Sequence, residues 1–199
     1  MNNDNYIKDN FILAMLSQVP LTGWTRETIQ EVAVLTNLGG MEADILFPDG
    51  SREIIRYWFK MADRMMINDV KTDDFNKLRV RDKITLTIKT RLDRWKSYRS
   101  AVKRTIALGF FPGYAEDIFS SLTTTADLIW KNAGDRSTDF NYYTKRSLLI
   151  AVYTSTFFYW LQDDSEDLNN TWKFLDRRIS EVLSLPKFGE GIRKFYRHH

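Results

Sequence analysis

Residues Ser147–Asp164 read SLLIAVYTSTFFYWLQDD. From Leu148 to Leu161 no side chain is charged, and five of these fourteen residues are aromatic. Such a run fits a membrane span, a core helix, or a surface that holds something apolar. Fourteen helical residues rise roughly 21 Å, whereas a bilayer core of about 30 Å asks for about 20 apolar residues. Lys145 and Arg146 bound the run on one side, Asp163 and Asp164 on the other. The run therefore predicts a buried helix, 140–162.

The neighbouring segments share its helical period. Leu168, Trp172, Leu175, Ile179 and Leu183 form one stripe that Pro186 closes, with Ser165 as the expected cap. Upstream, Tyr114 to Trp130 reads as a helix. The segment 77–108 reads as one or two basic amphipathic helices with Val80, Ile84, Ile88, Leu92 and Trp95 inside. Ser51 is the expected cap of a helix carrying Ile54, Trp58, Met61 and Met65. Asn5 to Val19 is a first helix ended by Pro20. Thr25 caps a second, which stops where Gly39 and Gly40 supply a tight turn. No hairpin signal or internal repeat interrupts this series. The expectation is an all-α bundle of about nine or ten helices in a single domain, residues 1–199.

Composition narrows the chemistry. There is no cysteine, and the two histidines are His198 and His199. Disulfides, thiolate catalysis and Cys-based zinc sites are excluded, and the common acid–base and nucleophilic arrangements lack their residues. No Walker loop or GxGxxG occurs. The acidic run Asp163–Asp167 lacks the glycine of a calcium loop, with Leu168 in its place. No catalytic residue and no metal site is expected. The first residues resemble neither a signal nor a transit peptide, which fits a bacterial cytoplasmic protein or the mature form of a processed one.

Charge is uneven along the chain. Residues 1–50 hold two basic side chains against seven acidic, and residues 77–104 hold eleven against two. Thr25 to Gly50 has the shape of a helix-turn-helix and resembles the front of a TetR-type repressor. Its recognition segment carries Glu42 and Asp44 and no Lys or Arg. Phosphates would repel it, so no DNA partner is expected and the helix-turn-helix is vestigial. The alternative reading is a TetR-like transcriptional regulator sensing a hydrophobic ligand. The basic stretch could bind RNA or anionic lipid headgroups; a solvated helix face is the first reading and a peripheral membrane role the second.

The block GDRSTDFNYYTKRSLLIAVYTSTFFYWLQDDSEDLNNTWKFLDRRI, Gly134–Ile179, resembles the Coq-nine family of ubiquinone-biosynthesis accessory proteins. The family pattern runs GD-x-STDFN-[WY]-Y-[TS]-[KR]-R, an apolar helix, a D-x-S turn, then TW-x-FL-x-x-R. GWT at 23–25, LFPDGS at 46–51, RVRDKI at 79–84 and IKTRL at 88–92 also match.

The resemblance implies a TetR-like fold and a homodimer. It implies a non-enzymatic, lipid-binding accessory protein that uses no cofactor. That protein would hold an isoprenoid lipid or quinone precursor and present it to the demethoxyubiquinone hydroxylase. Residues 1–50 would be the helix-turn-helix-like part, and 51–185 the ligand-binding and dimerisation part. Residues 186–199 would be a short amphipathic tail making peripheral membrane contact. Location would be the cytoplasmic side of the bacterial inner membrane, or the matrix side of the mitochondrial one for eukaryotic relatives. By position, the hydroxylase patch would include Leu92, Asp127, Ile129, Tyr142, Tyr143 and Arg146, with Tyr142 where many members have Trp. Apolar stripes offer Trp58, Met61, Met65, Phe119, Phe157 and Trp160 as lipid-contact candidates. The opening helix and Leu168–Leu183 are expected to pair across the dimer axis.

Overall fold

The computed structural model describes residues 3–138 and 140–184. Ten α-helices follow one another, with no strand among the described residues. They are α1 Asn3–Thr22, α2 Arg26–Leu35, α3 Gly40–Leu46, α4 Ser51–Val70, α5 Asp73–Lys77, α6 Val80–Arg94, α7 Arg99–Ala107, α8 Pro112–Asn132, α9 Phe140–Trp160 and α10 Asn169–Ser184. The expected all-α series is therefore present. The tail 186–199 lies outside the described residues. No described helix is long and apolar enough to cross a membrane.

Two compact units divide the chain. The first joins residues 1–65 to 95–121. In it, α1 packs on α2 and α7 through Phe11, Ile12, Met15, Leu16 and Val19, all buried. Their spacing places them on one helical stripe. The cluster extends through Ile54, Ile55, Trp58 and Met61 of α4 and Ala101 and Val102 of α7. The Trp24 indole donates to Thr105 Oγ1 at 2.9 Å. Trp24 lies 6.2 Å from Trp58, which meets Trp95 edge-on at 5.6 Å. The second unit, 66–94 with 122–199, packs α10 on both α9 and α6. Its core includes Ile88, Leu92, Leu149, Val152, Trp160, Leu175 and Ile179.

Several local expectations shift by a few residues, each for a local reason. Pro20 does not end α1. It lies within the last turn, and the stop is Gly23, whose φ of 81° lets its N–H close on Val19 O at 2.9 Å. Thr25 is the cap of α2, accepting from Thr28 N at 3.2 Å. The turn after α2 is made by Asn37 at φ 54°, not by the glycines, and Asn tolerates that left-handed conformation better than most residues. Gly39 instead precedes α3, where its N–H donates to the Glu42 carboxylate at 2.9 Å. Ser51 lies inside the first turn of α4, and Glu53 accepts from Asp49 N at 3.1 Å. The basic stretch divides into α6 and α7 around Trp95–Tyr98. Helix α9 ends at Trp160, two residues early.

The Asp163 carboxylate supplies the strongest cap of the α9–α10 turn. It accepts from Ser165 N at 3.0 Å, Thr171 N at 2.8 Å and the Thr171 hydroxyl. Ser165 contributes a weaker contact from Asn170 N at 3.1 Å. Burial alone would raise the Asp163 pKa. The hydrogen bonds outweigh it and lower the value from 3.8 to about 2.

Candidate functional site

The chain folds back between α8 and α9, and charges concentrate there. Trp130 sits near the end of α8, and its indole donates to Lys145 O at 3.0 Å. This fixes one turn of α9 against α8. Lys145 and Arg146 are both buried, which is costly for cations unless they are paired. Lys145 Nζ reaches Asp135 Oδ1 at 2.6 Å and Ser137 Oγ at 2.8 Å. Arg146 Nε donates to Asp127 Oδ1 at 2.7 Å, and its Nη1 donates to Asp135 Oδ2 at 3.1 Å. The Tyr142 hydroxyl donates to Asp127 Oδ1 at 3.1 Å, and its ring lies 3.4 Å from the Arg146 guanidinium carbon. Lys131 closes the network on Asp127 Oδ2 at 2.7 Å.

The electrostatics follow from this packing. Burial would push the Asp135 carboxyl up, but hydrogen bonds from Lys145, Ser137 and Arg146 hold it below the usual range. Asp127 is held low in the same way by Lys131, Arg146 and Tyr142. Both stay ionised near neutrality, so the corner is a compensated ion cluster with no carboxyl poised for proton transfer. It can fix a surface and present it.

The six patch candidates occupy different depths of this unit. Tyr143 is 69% exposed and meets Tyr142 edge-on at 5.2 Å. Tyr142 is half-buried, and Arg146 is buried. Leu92 and Ile129 are core residues and are not part of the surface. Asp135, Ser137, Lys145 and Lys131 complete the network and were not among the candidates. The first three stood in the quoted motif GDRSTDFNYYTKR, which was the available signal.

The apolar candidates divide between the units. Trp58 and Met61 are buried in the first, where Met65 is half-buried and Phe119 is 63% exposed. The indole N–H groups of Trp58 and Trp95 are buried there with no acceptor among the described residues. In the second unit, Phe157 lies 5.7 Å from the buried Trp160. Helix α9 buries Leu149, Val152, Thr156 and Trp160 on one stripe and leaves Phe158 and Tyr159 exposed. Tyr159 stacks on Phe174 of α10 at 4.7 Å.

The α2–α3 front exposes Val34, Leu35, Met41 and Ile45 among the exposed carboxylates Glu27, Glu31, Glu42 and Asp44. Arg26, the one cation of that segment, lies 3.7 Å from Asp44. Within it, the recognition segment α3, Gly40–Leu46, has neither the amide nor the basic side chains of a DNA reader.

The family model COQ9 matches residues 115–186, a span that contains the whole α8–α9 corner. The ubiquinone biosynthesis protein COQ9 of Homo sapiens is 29% identical over 205 residues, covering 96% of this chain and 62% of the human protein. The chain is related to the COQ9 proteins. The COQ9 protein of Rattus norvegicus is 30% identical over the same share of the chain. The probable COQ9 of Dictyostelium discoideum is 29% identical over 90% of it. All three relatives are mitochondrial proteins by name. The chain spans about three fifths of the length of these relatives. In fold it is similar to a TetR transcriptional regulator from Nitrosomonas europaea, with a TM-score of 0.75 at 21% identity over 90% of this chain and 99% of the regulator. The COQ9 relationship and the TetR-like fold thus agree with the resemblance drawn from the motif.

Proposed function

We propose that this protein is a non-enzymatic accessory factor of ubiquinone biosynthesis. It binds an isoprenoid quinone precursor and presents it to the demethoxyubiquinone hydroxylase at the membrane. The observation that carries the reading is similarity to COQ9 proteins across nearly the whole chain. The acidic, apolar α2–α3 face supports it over a DNA-binding regulator. The compensated charges at the α8–α9 corner support a presenting surface over a catalytic one.

In this reading Tyr143 is the outward anchor of the hydroxylase contact, since exposed Tyr beside Arg suits an interface hot spot. Tyr142, Arg146 and Asp127 hold it, while Leu92 and Ile129 lie in the core of the same unit. Trp58, Met61, Met65, Phe119, Phe157 and Trp160 are the lipid-contact candidates. The indoles of Trp58 and Trp95, with no acceptor among the described residues, are donors that a quinone carbonyl would satisfy. A homodimer pairs α9 and α10, covering Phe158 and Tyr159. Peripheral membrane contact brings the protein to its lipid.

Native mass spectrometry with lipid extraction tests the binding. A retained isoprenoid lipid is expected, and protein that stays empty with added lipid would overturn it. Capture of the hydroxylase should fail for Tyr143→Ala with the fold intact. Unchanged capture removes the patch assignment. Sedimentation at micromolar protein should give a dimer, and a monomer contradicts the α9–α10 pairing.

A further inference from the structure

The turn between α7 and α8 leaves apolar side chains in water. Phe110 is 91% exposed, Phe111 60%, and Phe119 on α8 63%. Ser100, Lys103 and Ala107 are exposed on one stripe of α7, and the exposed Phe110 follows in the 3-10 turn Leu108–Phe110 that ends it. Phe111, Ala115 and Phe119 follow at intervals of four along the start of α8. From Trp95 to Ala115 there are four basic residues, Lys96, Arg99, Lys103 and Arg104, and no acidic one.

This turn is built to hold its shape. Phe111 N closes on Leu108 O at 2.9 Å, and Ala115 N on Phe111 O at 3.0 Å. Pro112 opens α8 with its fixed φ. Gly109 packs so closely that an added Cβ would stand 3.3 Å from Ile118 Cδ1. The phenylalanines are therefore held outward. The acidic neighbours are Glu116, which is exposed, and Asp117, which Arg52 engages at 2.6 Å.

The α2–α3 front makes the contrast within the same unit. It too exposes apolar side chains, but its charged neighbours are acidic, and nothing names an occupant for it. Exposed aromatic side chains in a segment whose charges are all basic have one well-matched partner: an anionic bilayer, whose headgroup region takes the rings while its charge attracts the Lys and Arg.

We propose that Phe110 and Phe111, backed by Lys103 and Arg104, form a wedge that inserts into the headgroup region of an anionic membrane. The wedge gives the membrane contact of the proposed function a specific element, and it rests on that clause of the reading alone.

Flotation with vesicles tests it, using phosphatidylcholine alone and phosphatidylcholine mixed with phosphatidylglycerol. The full chain should float with the mixed vesicles and much less with the neutral ones. Phe110→Ser with Phe111→Ser should weaken binding about tenfold or more with the helical signal unchanged. Lys103→Glu with Arg104→Glu should weaken it by a comparable factor and remove the anionic preference. Full binding by the serine variant overturns the wedge and leaves membrane contact standing. Failure of the parent chain to float overturns both, while lipid retention and hydroxylase capture still judge the rest of the function. Because the chain has no cysteine, Phe110→Cys accepts a polarity-sensitive fluorophore at one place. A blue shift on adding mixed vesicles is expected. A shift produced only by the hydroxylase would make the turn a protein contact and overturn the proposal.

Discussion

The α8–α9 corner and the α7–α8 turn are both rich in aromatic rings and cations, yet they handle them in opposite ways. At the corner, Lys145 and Arg146 are buried and each is met by carboxylates. At the turn, Lys103 and Arg104 are exposed, and so are Phe110 and Phe111 a few residues on. The difference lies in where the opposite charge resides. Asp127 and Asp135 sit on the same fold-back as the corner's cations, whereas no acidic residue occurs from Trp95 to Ala115. A buried charge with its partner holds structure, and an exposed one in a segment that carries no acidic residue is available to something outside the chain.

Breaking the corner should have the largest effect. Arg146→Ala leaves Asp127 and Asp135 with one cation fewer in a buried site. Lys131 and Lys145 still pair with them, so the loss in urea unfolding should be about 1 to 3 kcal/mol. A loss comparable to that of a surface residue would mean that the network is not holding the fold-back.

Acid provides a second test. Asp127, Asp135 and Asp163 all have pKa values lowered by folding. The unfolded chain therefore takes up protons first as pH falls, and the stability these groups supply is lost in that direction. For Asp163 the window runs from 3.8 down to about 2. Asp163→Asn should flatten the fall of stability across that window. An unchanged acid profile would show that its hydrogen bonds do not survive in solution.

Smaller effects test the local caps and then the exposed turn. Thr25→Ala removes the acceptor for Thr28 N and should cost about 1 kcal/mol. Lys103→Ala should change stability by less than about 0.5 kcal/mol. A larger loss would mean that the turn's charge serves the fold, and the contrast with the corner would blur.

Much of the architecture was legible because helices announce themselves locally. Periodic apolar stripes, Thr25 and the GDRSTDFN block marked the elements and the relationship. The errors arose where a local signal had two outcomes. Pro20 could end α1 or lie in its last turn, and Gly23 decided the matter with a left-handed bond to Val19. The glycines after α2 were available for a turn that Asn37 makes. Among the patch candidates, burial could not be seen: Leu92 and Ile129 are core and Tyr143 is surface, although all three came from the same family pattern.

The run Ser147–Asp164 shows the division most clearly. Its length and lack of charge by themselves determined that it forms a helix too short to cross a bilayer, since both follow from the rise per residue. Only the tertiary structure decided which sides of that helix are covered. Leu149, Val152, Thr156 and Trp160 turn inward while Phe158 and Tyr159 remain outside. It also buried the two cations that bound the run. Their carboxylate partners lie 10 to 19 residues earlier, and burial becomes affordable only once the fold-back brings opposite charges within hydrogen-bonding distance.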